Sequence, residues 1–198
     1  MESGGSDPGR EGREDGPSVL LVGFMAAGKS AVAEILARRL GWRVRDVDRI
    51  LEEEEGHAVR DLFASRGEAW FRDREATVTA RLLQEHRIVL APGGGWAAVP
   101  GRLDDLPDHV LSVWLRVGVD TALRRAAEAP GSRPLLAAAG EADGPARAAV
   151  EALLRQREPR YRRAAVHLDT DGATPLEVAD SIVNHLARRQ APDGRILE

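Results

Sequence analysis

The chain has 198 residues, 43% of them hydrophobic and 30% charged, with a formal net charge of −4. That length suffices for one domain with a sizeable core, and the mild acidity argues against nucleic acid as a partner. There is no cysteine, which excludes disulfides, thiolate metal sites and cysteine nucleophiles, and no apolar run reaches the ~20 residues of a membrane span.

Residues Met1 to Pro17 are Gly, Ser, Asp, Glu and Arg with almost nothing apolar, and are expected to form a disordered tail. They lack the apolar core of a signal peptide, so a cytoplasmic protein is expected. Ser18 to Val22 reads as a short buried strand. Gly23-Phe24-Met25-Ala26-Ala27-Gly28-Lys29-Ser30 follows, with the spacing G-x-x-x-x-G-K-[ST] of a phosphate-binding loop. Ala31 to Leu40 then has helical period, with Val32, Ile35, Leu36 and Leu40 on one face. The strand, glycine loop and helix that the motif requires are therefore all present. Gly23 and Gly28 admit backbone that a Cβ would block, and successive N–H groups with the helix dipole favour phosphate. Lys29 is the chain's single lysine among many arginines, which suits a site needing a point charge rather than a planar fork. Ser30 offers a hydroxyl to Mg²⁺.

Trp42 to Asp48 is expected to be a strand ending in two carboxylates, Asp46 and Asp48, which share a face if the strand continues. One can hold Mg²⁺ or its waters and the other can take a proton from an attacking hydroxyl. The plainer reading makes Asp48 the N-cap of a helix through Arg49-Ile50-Leu51. Glu52 to Glu55 reads as a solvated helix face ended by Gly56. A helix is predicted from Val59 to about Glu85, broken at Gly67, with Leu62, Phe63, Trp70 and Phe71 clustered. Arg72 and Glu75 lie i, i+3 and can pair, either as a surface ion pair or as a grip for a carboxylate. Ile88 to Ala91 is the next strand, running into Gly93-Gly94-Gly95-Trp96, a turn with bare backbone N–H groups. Val110 to Leu115 is a strand and Asp120 to Glu128 a helix carrying Arg124 and Arg125. Residues 129–145, rich in Pro, Gly and Ala, read as a lid in which Arg133 can reach phosphates. Ala146 to Arg157 is predicted helical, Ala165 to Asp169 a strand, and Pro175 to Arg189 the closing helix. Residues 190–198 are expected to fray. The five histidines have no metal-ligand spacing.

Five strands alternating with helices imply an α/β fold with a doubly wound parallel sheet. The ordered set Gly23–Ser30, Asp46-Val47-Asp48, Phe71-Arg72 with Glu75, Gly93-Gly94-Gly95, Arg133-Pro134-Leu135 and Arg160-Tyr161-Arg162 resembles that of the shikimate kinases. The resemblance runs from about Val19 to Leu186. It implies a P-loop NTPase-type three-layer α/β/α fold over 18–189, with a helical substrate-binding insert at about 48–85. It also implies transfer of phosphate from ATP to the 3-hydroxyl of shikimate, with Mg²⁺ as cofactor, in aromatic amino-acid biosynthesis, by a monomer.

Carried over by that resemblance, Gly23, Ala26, Ala27, Gly28, Lys29, Ser30 and Ala31 surround ATP. Arg125 packs on adenine and Arg133 reaches the phosphates. Ser30 and Asp46 are the Mg²⁺ pair, and Asp48 is the base. Arg72 and Arg162 hold the substrate carboxylate, with Glu75 steadying Arg72. Gly93, Gly94 and Gly95 contact the substrate between the aromatic walls Phe63 and Phe71. Three positions depart from the family pattern: Ala31, Val47 and Trp96. An indole at 96 can fill part of the acceptor pocket, contribute to binding or point into the core. Two other readings therefore remain, a related kinase for another polyol or sugar acid and a nucleotide-binding protein without turnover.

Overall fold

Three strands form where short Val/Leu-rich runs are buried, β1 (Ser18–Val22), β3 (Ile88–Ala91) and β4 (Val110–Arg116), and two more polar strands flank them, β2 (Arg43–Asp46) and β5 (Val166–Asp169). A computed structural model, which describes residues 15–128 and 145–190, pairs them in parallel in the order β2-β3-β1-β4-β5. Most of the expected N-terminal tail, all but the last residue of the expected lid (Arg133 included) and residues 191–198 lie outside the described residues.

The central strand β1 is buried along its whole length. Its one polar side chain is satisfied, the Ser18 hydroxyl donating to the Glu85 carbonyl at 3.0 Å. The helices are α1 (Lys29–Leu40), α2 (Val47–Glu55), α3 (Val59–Arg66), α4 (Glu68–Leu82), α5 (Val119–Glu128), α6 (Pro145–Tyr161) and α7 (Pro175–Gln190). From the centre of the sheet, the β1–β2 and β4–β5 crossovers run in opposite directions. Right-handed crossovers therefore place α1 on one face and α5–α6 on the other. The closing helix α7 packs along α1, burying Val178, Ala179, Ile182 and Leu186.

The insert between β2 and β3 is a three-helix unit in which α2, α3 and α4 touch one another. Its joints are glycines: Gly56 caps α2 in left-handed backbone (φ 70°), and Gly67 (φ 83°) separates α3 from α4. Leu51, Leu62 and Phe71 are fully buried there. The Glu52–Glu55 run does more than face solvent. Glu54 and Glu55 pair with Arg74, Glu54 also pairs with Arg81, and the Glu52 carboxylate accepts from the Val59 N–H.

Three expectations are corrected. β2 ends at Asp46, and Asp48 lies in the first turn of α2, so the two carboxylates do not share a strand face. The N-cap is Asp46, not Asp48: its Oδ1 accepts from the N–H groups of Asp48 (3.1 Å) and Arg49 (3.3 Å). Helix α6 continues past Arg157 to Tyr161, with Pro159 inside it. Proline near a helix end removes one N–H but leaves the later turn free to close, here through Arg162 N to the Glu158 carbonyl at 3.0 Å.

Candidate active site

The chain leaves β1 toward β2 and leaves the neighbouring β3 toward β4. Open parallel sheets bind ligands where adjacent connections diverge in this way, and both glycine segments lie at this point. A Cβ on Gly94 would sit 3.2 Å from the Gly23 carbonyl oxygen and 3.3 Å from the Met25 nitrogen, so the turn after β3 lies directly on the loop after β1.

The phosphate loop is shaped by three unusual backbone conformations. Gly23 (φ 145°) passes so close to β4 that a Cβ would come within 2.5 Å of the Leu115 carbonyl oxygen. Gly28 (φ 90°) opens α1 with no side-chain cap, which leaves the positive end of the helix directed at the crevice. Ala26 adopts left-handed backbone (φ 62°) despite its Cβ, at a cost of about 1–3 kcal/mol that functional loops commonly carry. Lys29 Nζ donates to the carbonyls of Gly23 (2.9 Å) and Phe24 (3.2 Å).

Across the crevice, the two oxygens of Asp46 have separate tasks. Oδ1 caps α2, and Oδ2 accepts from the Ser30 hydroxyl at 3.2 Å. Asp48, two residues further on in the first turn of α2, faces the same space. Burial, then the charges of Glu75 and Asp46, push its carboxyl up to about 6, against the pull of Lys29 and Arg72. Lys29, Ser30, Asp46, Asp48, Gly93 and Gly94 line one crevice of about 170 Å³.

Beside it lies a cationic subsite. Arg72 Nη1 donates to Glu75 Oε2 at 2.8 Å, and its Nε and Nη2 reach Glu68 at 3.3 Å. Phe63 and Phe71 stack at 4.3 Å between centroids, and the Arg72 guanidinium lies 5.5 and 5.6 Å from the two rings. Glu75 is fully buried. Burial raises its pKa and Arg72 pulls it back. Its Oε1 has no hydrogen-bond partner among the described residues and would lie 2.4 Å from a Cβ on Gly93. A Cβ on Gly95 would fall 2.6 Å from the Arg72 guanidinium carbon. Gly93 and Gly95 thus let the acidic and the basic member of the pair close on bare backbone.

Arg125 bridges the phosphate loop to the loop after β5, donating to the Ala26 carbonyl (3.2 Å) and to Thr170 Oγ1 (3.3 Å) and O (2.6 Å). Ala26 and Ala27 are buried in that loop, while Ala31 is exposed on α1.

One sequence-based placement is changed. Arg162 is exposed and paired with Glu158 at 2.6 Å, with no contact to the glycine turn among the described residues. The residue of this helix that reaches the turn is Arg157, whose Nη1 approaches the Gly94 carbonyl at 3.5 Å with its guanidinium 5.9 Å from the Phe24 ring. Buried Tyr161 donates its hydroxyl to the same carbonyl. Arg157 and Tyr161 are i, i+4 on α6 and share a face, whereas Arg157 and Arg162 are five apart and do not. Of the three placements open to Trp96, the structure takes the core: it is 3% exposed and packs in the main cluster.

A phosphate loop with its lysine, a serine–aspartate pair beside it, a second aspartate with a raised pKa and an adjoining arginine subsite define a P-loop kinase acting on a small acceptor. The family model "Shikimate kinase" matches residues 25–187. A shikimate kinase of Moorella thermoacetica is 39% identical over 83% of this chain and 91% of its own length, and one of Synechococcus sp. is 35% identical over 88% and 86%. A solved shikimate kinase from Acinetobacter baumannii, in complex with shikimate, matches with a TM-score of 0.79 at 29% identity, covering 92% of this chain and 99% of that one. The chain belongs to the shikimate kinase family.

Proposed function

We propose that this kinase transfers the γ-phosphoryl group of ATP to the 3-hydroxyl of shikimate, releasing ADP and shikimate 3-phosphate. The observation that carries this reading is the shared crevice. Lys29 and Ser30 face Asp48 across it, and the Arg72–Glu75 pair adjoins it through Gly93 and Gly95. The phosphate loop would hold the ATP phosphates on its N–H groups, with Lys29 moving from its carbonyl partners to the β/γ-phosphates. Arg72 and Arg157 flank the glycine turn from α4 and α6 and would bind the acceptor carboxylate. Asp48 would orient the hydroxyl and take its proton as the oxygen–phosphorus bond forms and the bond to ADP breaks. Its pKa of about 6 suits a base working near neutrality.

Ser30 and Asp46 fit Mg²⁺. They are two oxygen donors already 3.2 Å apart at the mouth of the phosphate loop, the donor type this hard cation takes while keeping some waters. When bound, Mg²⁺ neutralises phosphate charge. Arg125, held by Ala26 and Thr170, would pack on the base of the nucleotide. Arg133 would add charge from the lid, and residues 18–189 would act as one domain. We read the protein as a cytoplasmic monomer; no helix among the described residues is long and apolar enough to cross a membrane. The burial of Trp96 removes the reason for expecting a different acceptor.

ADP release with ATP, Mg²⁺ and shikimate tests the reading against a no-acceptor control, quinate, gluconate and nucleoside monophosphates. Shikimate-dependent turnover well above the control is expected. Silence with shikimate and turnover with another acceptor would overturn the substrate.

A further inference from the structure

The residue after the glycine turn is a buried tryptophan, and it touches the acceptor subsite only indirectly. Trp96 opens a short 3-10 turn (Trp96–Ala98) packed against α4 and α6. Its backbone N–H closes the glycine turn on the Gly93 carbonyl at 3.0 Å. Burying an indole is among the largest single apolar gains available to a chain. The turn therefore cannot shift without exposing it. The Arg72 guanidinium lies against the bare backbone of Gly95, directly before Trp96. Wherever the indole holds the turn, Arg72 must follow.

A second cation lies over the indole ring. The Arg102 guanidinium sits 5.3 Å from the Trp96 ring centroid and makes no hydrogen bond or ion pair among the described residues. Its charge favours the ionised form of Glu75, the partner of Arg72, alongside Arg72 itself and Lys29 and against Asp48. The mechanical path through Trp96 and Gly95 and the electrostatic path through Glu75 meet at Arg72.

We propose that Trp96 and Arg102 are positioning residues for the acceptor: the indole, covered by the guanidinium, fixes the glycine turn and so aims Arg72 at the substrate carboxylate. This rests on the acceptor reading above. Neither residue touches substrate. Their removal acts on acceptor binding and leaves the ATP half of the site alone.

The test is steady-state kinetics with shikimate and ATP varied separately, together with melting temperatures, on R102M, R102K, W96F and W96L. R102M removes both the cation over the indole and the charge that favours ionised Glu75. R102M is therefore expected to raise the shikimate KM roughly 3- to 10-fold, with kcat and the ATP KM within about twofold. R102K should recover most of the loss. W96F, which keeps a ring under Arg102, should lie nearer wild type than W96L. Should W96L fail to fold, the partly exposed Arg102 decides the question alone. An unchanged shikimate KM in R102M overturns the inference, as does a parallel rise in both KM values, which would mean general loosening. A wild-type enzyme with no shikimate-dependent turnover overturns the acceptor reading and this inference with it. Wild-type turnover with an unmoved R102M overturns this inference only.

Discussion

Replacing Asp48 with Asn should make the ligand-free protein more stable while stopping turnover. The carboxyl is pushed up to about 6 by burial first and then by Glu75 and Asp46, with Lys29 and Arg72 pulling back. The folded protein thus holds this proton more tightly than the unfolded chain, whose Asp titrates near pH 4. The group's contribution is fully present below that pH and is lost as pH rises through about 6. A shift of two units corresponds to about 3 kcal/mol at neutral pH. Asp48 borders an open crevice, where water offsets part of this, so about 1–2 kcal/mol is the expected gain on removing the charge. For a domain of this size that is roughly 2–8 °C in Tm. Thermal melts by circular dichroism without nucleotide, in a chelator and from pH 4 to 8, measure it. The two curves should coincide at pH 4 and separate as pH rises through the Asp48 pKa. A variant melting at or below wild type at pH 7.5, or a gap independent of pH, would refute the reasoning. Turnover of the same variant should fall by about 10²–10⁴, the usual share of a general base.

Gly95→Ala places a methyl 2.6 Å from the flexible end of Arg72, which can swing aside. Melting should barely change, while the shikimate KM rises about tenfold, the loss of one charge-assisted contact; an unchanged KM would show that Arg72 does not hold the carboxylate. Arg157→Ala should raise the shikimate KM by a similar factor, and Arg162→Ala should behave as wild type, since only the former reaches Gly94. The reverse result would restore Arg162 to the site. Lys29→Ala should keep its circular dichroism spectrum and lose almost all kcat, and normal turnover would remove the phosphate-loop assignment.

The middle of the sheet was legible because β1, β3 and β4 are short buried apolar runs. β1 and β3 begin and end at the predicted residues, Ser18–Val22 and Ile88–Ala91. The phosphate loop was legible for a different reason: its chemistry depends on residue type at fixed spacing along one segment. The boundary at Asp46 was harder. A strand end and a helix N-cap both accept an aspartate, and two candidates lay two residues apart. Only the backbone decides between them, Asp46 being extended (φ −93°, ψ 114°) with its side chain on the next N–H groups.

The arginines near Tyr161 illustrate the same limit at the site itself. Arg157, Arg160, Arg162 and Arg163 lie within seven positions, and composition treats them alike. Their fates differ because a helix rotates each successive side chain by about 100°. Arg157 shares the face of Tyr161 and meets the glycine turn, Arg162 pairs with Glu158, and Arg163 pairs with Asp104 at 2.7 Å. The signal was present in the i, i+4 spacing of Arg157 and Tyr161, but Pro159 between them reads as a stop and hides it. Trp96 presents the converse problem. Its place beside three glycines left pocket and core equally open, yet a turn that leaves bare backbone on one side must be anchored on the other. A large apolar side chain directed inward supplies that anchor at the position where the backbone itself has none.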